Sequence, residues 1–145
     1  MRSFLLSIVP LAVAIGLVGA ATAAFAAQDT PFTANGVTAV CTGVGSAKDN
    51  PDWKGYPVKI VLANSAGENL ASAHYTVTSG GKTVLETDCD APWLLLKAPA
   101  GKYTASAMIV GGSGVSRSAN FSGGEGPQKE LTIMFSGGQQ RASAQ

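Results

Sequence analysis

His74 is the residue best suited to acid–base chemistry, because it is the single histidine of the sequence and histidine changes charge near neutral pH. A Ser-His-Asp mechanism would also need a nucleophilic serine, yet no G-x-S-x-G stretch is present. Gly112-Ser113-Gly114 has the composition of a turn instead. His74 lies on the polar side of an alternating segment, where a histidine is usually solvated. The sequence therefore predicts no catalytic residue, and we expect the chain not to be an enzyme.

Metal ligands are few and scattered along the chain. Cys41 and Cys89 show no C-x-x-C spacing, and the single histidine is distant from both. Asp88 and Asp90 flank Cys89 and could bind Ca²⁺ with backbone carbonyls, but no D-x-D-x-D-G loop accompanies them. The sequence predicts neither a metal site nor a cofactor.

Two aromatic residues give a better functional lead. Trp53 and Tyr56 lie in or beside a polar, turn-rich stretch, 46–55. An exposed indole there could stack on a sugar ring or on an apolar side chain of a partner. The alternative is that Trp53 folds back and caps one end of the core. Trp93, beside Leu94–Leu96, is expected inside the core.

The amino terminus has the pattern of a signal peptide. Arg2 precedes an apolar run, Phe4–Val18, and Ala24-Phe25-Ala26 fits the small-x-small rule for cleavage before Ala27. An uncleaved membrane anchor is the alternative, since 4–27 is long enough to span a bilayer. Breaks at residues 10 (Pro) and 16 (Gly) favour cleavage. We expect a signal peptide over 1–26, a periplasmic or secreted product, and no stable membrane span after cleavage.

The remaining chain has the size of one domain and little net charge. Without Arg2, nine basic residues stand against nine acidic ones, and the basic residues are dispersed singly rather than clustered. A nucleic-acid-binding face would need a basic cluster to neutralise phosphates, so this class is excluded. We expect one domain over 27–135 and a flexible tail over 136–145, where Gly, Gln, Ser and Ala offer nothing to bury.

Cys41 and Cys89 are expected to form a disulfide. An exported chain meets an oxidising compartment, and an even number of cysteines leaves no odd thiol. The two residues are separated by 48 positions. Closing a loop of that length stabilises a domain by about 4 kcal/mol on the chain-entropy model.

Apolar residues recur with a period of two, and turn residues separate the alternating segments. Seven or eight short strands follow, which indicates an all-β, antiparallel Greek-key β-sandwich of about seven strands. The segments are 36–44, 56–63, 73–78, 83–89, 93–97, 102–110, 115–121 and 130–135.

One segment carries a more specific pattern. Pro99-Ala100-Gly101-Lys102-Tyr103-Thr104-Ala105-Ser106-Ala107 resembles the P-x-G-x-Y-x-x-x-A signature of carboxypeptidase regulatory-like domains, which are transthyretin-like (prealbumin-like) sandwiches. The resemblance covers roughly residues 58–135 and includes the order T-D, aromatic strand, then P-x-G-x-Y. It departs from the pattern at Asp90-Ala91-Pro92, where such domains often have a glycine.

The resemblance implies an accessory module and no peptidase. The zinc-binding H-x-x-E of a metallocarboxypeptidase is absent, because Tyr75, Thr76 and Val77 follow His74. We expect a non-catalytic interaction or scaffold module whose partner is an unknown protein or glycan of the cell envelope. The alternative function is a carbohydrate-binding module that uses Trp53 and Tyr56.

Overall fold

The computed structural model describes residues 26–136. The predicted signal peptide, 1–26, lies outside this range except for Ala26, and the predicted tail, 136–145, lies outside it except for Ser136. In the part described, ten strands and two short 3-10 helices follow one another. The strands are β1 (Phe32–Ala34), β2 (Val37–Thr42), β3 (Val58–Asn64), β4 (Asn69–Leu70), β5 (Ala73–Ser79), β6 (Lys82–Cys89), β7 (Trp93–Lys97), β8 (Gly101–Ile109), β9 (Ser116–Gly123) and β10 (Lys129–Phe135). The 3-10 helices span Gly45–Asp49 and Pro51–Gly55 and together form the 3-10 segment.

The strands form two sheets that pack face to face. The first sheet has the order β1-β2-β7-β3-β10, with β4 also paired to β3, and the second has the order β6-β5-β8-β9. The chain passes between the sheets after β4, β6, β7 and β9. The expected all-β Greek-key sandwich is therefore confirmed.

Strand number and direction differ from the expectation in two respects. The eight predicted strands are present, but β1 and β4 add two that are only three and two residues long, too short to show alternation. One pair is parallel, since β10 runs alongside β3 with Lys129 opposite Val58. The chain returns from β9 at the Pro57 end of β3, where Lys129 N–H donates to Pro57 O at 2.8 Å, and β10 then runs in the direction of β3.

The core fills the space between the two sheets. β3 contributes Ile60 and Leu62, and β5 contributes Tyr75 and Val77, all of them fully buried. The expected disulfide is present: Cys41 of β2 in the first sheet is bonded to Cys89 of β6 in the second. The bond therefore ties the two layers together.

The Pro99–Tyr103 corner shows why its residue types are needed. Tyr103 is buried, and its hydroxyl donates to the carbonyl of Pro99 at 2.9 Å. Gly101 has φ +154°, and a Cβ on Gly123 of the adjacent strand would overlap the carbonyl oxygen of Pro99. Glycine at these two positions thus lets β8 start close to the preceding turn while the phenol ring enters the core.

The two sheets differ in how many of their faces are buried. Burial in β5 and β8 alternates residue by residue, whereas β2, β3 and β7 have consecutive buried residues. Such continuous apolar runs are typical of strands that are covered on both sides. The first sheet thus has a second buried face, directed away from the core. Among residues 26–136 no helix combines the length and the apolar character that crossing a bilayer requires.

Candidate functional site

The 3-10 segment covers the outer face of the first sheet and buries Trp53 there. Asn50 begins its second helix, where its side-chain oxygen accepts a hydrogen bond from Asp52 N–H at 3.0 Å, a typical capping contact. The Trp53 indole N–H donates to Ala47 O at 2.7 Å. The side chain is 8% exposed and packs on Val40 and Leu95. Trp53 is therefore buried, as in the capping alternative, although it caps the outer face of a sheet rather than an end of the core.

Tyr56 lies beside Trp53, so the structure brings the two predicted ligand-binding residues together. Their rings meet edge to face with centroids 6.0 Å apart, a favourable arrangement for aromatic pairs. Gln128 Nε2 donates to the carbonyls of Trp53 at 2.8 Å and Tyr56 at 3.0 Å. Burial, and to a smaller extent the negative charge of Asp52, raises the pKa of Tyr56. The phenol therefore remains protonated at neutral pH.

Trp93 belongs to the same outer face, and its expected place in the core is wrong. Within β7, Leu94 and Leu96 point into the core, so the alternation of the strand turns Trp93 and Leu95 outward. The Cα of Gly43 (φ +106°) lies against this indole, and a Cβ there would come within 2.6 Å of Trp93 Cδ2. The backbone of Gly43 thus packs directly on the ring.

Lys59 places a positive charge over the Trp93 ring. Its Nζ lies 3.6 Å from the ring centroid, within the range of a cation–π interaction. The same amine is 3.4 Å from Glu130 Oε2 on β10. Lys59 is thus held by an aromatic ring and a carboxylate, and its side chain is 19% exposed.

Trp53, Lys59 and Trp93 border a groove of about 290 Å³, which we call the tryptophan groove. Its floor is aromatic and aliphatic, and its rim carries charged and amide side chains. The lining residues are Lys48, Asp49, Asn50, Trp53, Lys54, Lys59, Trp93, Leu95 and Gln128.

His74 lies on the opposite side of the molecule, on the outer face of the second sheet. It is not simply solvated: Nδ1 lies 2.6 Å from Asp88 Oδ1 and Nε2 lies 2.8 Å from Glu86 Oε1. With both carboxylates ionised, each ring nitrogen can donate only in the imidazolium form, so this arrangement favours protonation of His74. The hydrogen bond to Asp88 is the main cause that raises the pKa of His74; Glu86 adds to it and burial opposes it.

The rest of this outer face carries small polar side chains. Thr104 Oγ1 donates to Asn120 Oδ1 at 2.8 Å, and the hydroxyls of Ser106 and Ser118 are 2.7 Å apart. The sequence-based calcium candidates are separated here, because the Asp88 carboxylate is bonded to His74 while Asp90 is exposed. Within residues 26–136, no three His, Cys, Asp or Glu side chains form a group that could hold a metal ion.

Sequence reasoning found Trp53 and Tyr56 but missed Lys59 and Trp93. The pairing of β3 with β7 places Val61 opposite Trp93 and Lys59 opposite Leu95. That register cannot be read from a single sequence. A usable signal was the apolar run 93–96, which offers large side chains to both faces of its strand.

No protein-family model matches the sequence, and no curated protein matches it either. Among solved structures, the chain is similar to 5-hydroxyisourate hydrolase from Klebsiella pneumoniae, with a TM-score of 0.43 and 15% sequence identity. The similarity covers 55% of this chain and 88% of that chain. A likeness at this level transfers no activity, because one fold hosts many functions.

Proposed function

We propose that the chain is an exported, non-catalytic interaction module of the carboxypeptidase regulatory-like type. The observation that carries the proposal is the state of His74, whose two ring nitrogens are both engaged by carboxylates. A general base needs a free nitrogen lone pair within reach of the proton that it removes. With its ring nitrogens directed at Glu86 and Asp88, His74 offers no free lone pair to a substrate and is a poor general base.

Two further features support export and the family type. The disulfide between Cys41 and Cys89 suits an oxidising compartment. The buried Tyr103, bonded to Pro99 across Gly101, gives the P-x-G-x-Y pattern a structural role. Amino-terminal sequencing of the protein recovered from its native cell tests export directly. We expect the mature chain to begin at Ala27, and an intact Met1 terminus on the mature protein would contradict cleavage.

Capture on the cell envelope tests the interaction role. Mature protein carrying an affinity tag is incubated with isolated envelope fractions, and bound material is quantified against protein concentration. We expect saturable binding that a His74→Gln variant retains. Native mass spectrometry should give the mass of the disulfide-bonded chain alone. A stoichiometric cofactor, or turnover of an envelope component that His74→Gln abolishes, would overturn the non-catalytic proposal.

Carbohydrate binding is the second candidate, and the tryptophan groove favours it over other ligand classes. Saccharide sites commonly combine an aromatic surface with polar side chains at its edge. The burial of Trp53 changes the roles of the residues. Trp53 would form the wall of the groove with Tyr56 packed against it, while Lys59 and Trp93 would contact the ligand.

A further inference from the structure

The tryptophan groove has the dimensions of a site for one small ring. Its volume of about 290 Å³ is at the lower end of the range of about 300–1,000 Å³ that is usual for small-molecule sites. Trp93 and Leu95 supply an apolar floor, and Trp53 supplies an apolar wall. A groove of this size accommodates a single sugar unit rather than a protein segment.

The groove wall is fixed by bonds within the protein. Trp53 is held to Ala47 through its indole N–H, and Gln128 holds the backbone at Trp53 and Tyr56. Gly43 supports the Trp93 ring from the adjacent loop. A preformed wall lowers the cost of ordering side chains on binding, so the groove can bind a small ligand with few contacts.

The charges around the groove favour an anion. Three lysines, Lys48, Lys54 and Lys59, line it, against one acidic lining residue, Asp49. Lys48 and Lys54 are exposed at the rim. Lys59 is already paired with the Glu130 carboxylate at 3.4 Å, so Lys48 and Lys54 are the cations that remain available to a ligand carboxylate.

We infer that the tryptophan groove binds a carboxylated sugar, that is, a uronic acid unit of an acidic polysaccharide. Such a unit offers C–H groups to the parts of the two tryptophans that line the groove, hydroxyls to the Asn50 and Asp49 side chains, and a carboxylate to Lys48 and Lys54. Nucleic acid fits poorly, because the basic residues outside the groove are dispersed. The inference rests on the proposal that the chain is a binding module.

Intrinsic fluorescence provides a direct test, because both tryptophans of the chain, Trp53 and Trp93, line the groove. Mature protein is titrated with tetragalacturonic acid and, separately, with neutral maltotetraose. We expect a saturable change in emission with the acidic oligosaccharide that added salt weakens. A parallel titration uses monomeric galacturonic acid. Tighter binding of the tetramer than of the monomer indicates that the ligand is a polysaccharide unit, and equal binding indicates a free sugar acid.

Charge-removing variants locate the site. Lys48→Gln combined with Lys54→Gln should weaken binding of tetragalacturonic acid about tenfold, since two charge contacts are lost. Lys82→Gln, at the first residue of β6 in the second sheet, is the control and should leave binding unchanged. Circular dichroism of each variant reports whether it has folded.

Three results would overturn the inference: equal binding of maltotetraose, an equal loss with Lys82→Gln, or no emission change at millimolar tetragalacturonic acid. These failures are separable from failure of the proposed function. Envelope capture that persists while the acidic sugar fails to bind would leave an interaction module with a different ligand. Loss of capture itself, with or without sugar binding, would contradict the broader proposal.

Discussion

The two outer faces of the sandwich have opposite character. On the first sheet, Trp53 covers Val40 and Leu95, which are 0% and 1% exposed. On the second sheet, the outward side chains of β5 and β8, such as Thr76 and Thr104, remain partly exposed. The central strands of one sheet, β2, β3 and β7, are thus buried on both sides, whereas the other sheet is buried on one side. A small β-sandwich can therefore position a preformed groove on the covered side and leave the other as a polar surface.

Truncation of Trp53, which covers the outer face of the first sheet, should show the difference between the two faces most clearly. Trp53→Ala removes a buried indole and its hydrogen bond to Ala47, and we expect the free energy of unfolding to fall by about 4 kcal/mol. Thr104→Ala on the second sheet's outer face should change it by no more than about 0.5 kcal/mol. Urea denaturation of both variants measures the difference. Similar losses from the two changes would contradict the assignment of the 3-10 segment as a structural cover.

The second largest loss of stability is expected from disturbing the contact between Gly43 and Trp93. In Gly43→Ala the new Cβ meets the Trp93 ring at 2.6 Å while φ stays at +106°, and we expect a loss of about 3 kcal/mol. Gly45→Ala is the matched control, because Gly45 also has positive φ, +60°, but no atom lies within 4 Å of its added Cβ. Its loss should be about 1 kcal/mol. Equal losses would show that Trp93 does not pack on Gly43.

On the inner face of the second sheet, two tyrosines should respond in opposite directions. The buried hydroxyl of Tyr75 has no hydrogen-bond partner in the described part of the chain, whereas that of Tyr103 donates to Pro99 O. Burial raises the pKa of Tyr75, so its phenol stays neutral. We expect Tyr75→Phe to stabilise the fold by about 1 kcal/mol and Tyr103→Phe to destabilise it by about as much. Thermal unfolding measures both, and destabilisation by Tyr75→Phe would imply a partner for its hydroxyl.

The smallest expected effect is the pH dependence of stability that arises from His74 on the outer face of the second sheet. The folded protein raises the pKa of His74, so the stability that this residue contributes is complete below the unfolded value of about 6.5. It is lost as the pH rises through the folded value. Glu86 and Asp88 face the ring from β6, and Met108 opposite it on β8 is uncharged. We expect about 1 kcal/mol to disappear over this rise in pH.

His74→Gln should remove that pH dependence, and Asp88→Asn should lower the pKa of His74 in an NMR titration. The Asp88 variant is the sharper of the two, because its hydrogen bond is the main cause of the raised value. A His74 pKa that is unchanged by Asp88→Asn would contradict the bonded arrangement on the second sheet.

The contrast between the faces also shows what the sequence could reveal. Alternation predicted eight strands and the inward residues of β3, because a half-buried strand has a period of two. The tandem 3-10 helices lie in a polar stretch that, with Asn50-Pro51-Asp52, has turn composition, so the sequence pattern predicts a turn there. That this stretch covers the outer face of the first sheet becomes apparent only from the burial of both faces of β7 in the structure.

The site residues were predictable to a smaller extent. Trp53 and Tyr56 are close in sequence and could be found together. Glu86 and Asp88 are 12 and 14 positions from His74, and they meet it only because β5 pairs with β6 in one particular register. Lys59 and Trp93 likewise depend on the pairing of β3 with β7. Long-range register is set by the whole sandwich, so a single strand's pattern does not contain it.

Site-specific photo-crosslinking in the native cell tests most directly which face makes the interaction. A photoreactive amino acid is placed at Lys54, on the rim of the tryptophan groove, and in a separate variant at Thr76, on the outer face of the second sheet. The expected result is a discrete crosslinked envelope component from position 54 and none from position 76. Crosslinking from position 76 alone would contradict it and move the interaction to the polar face.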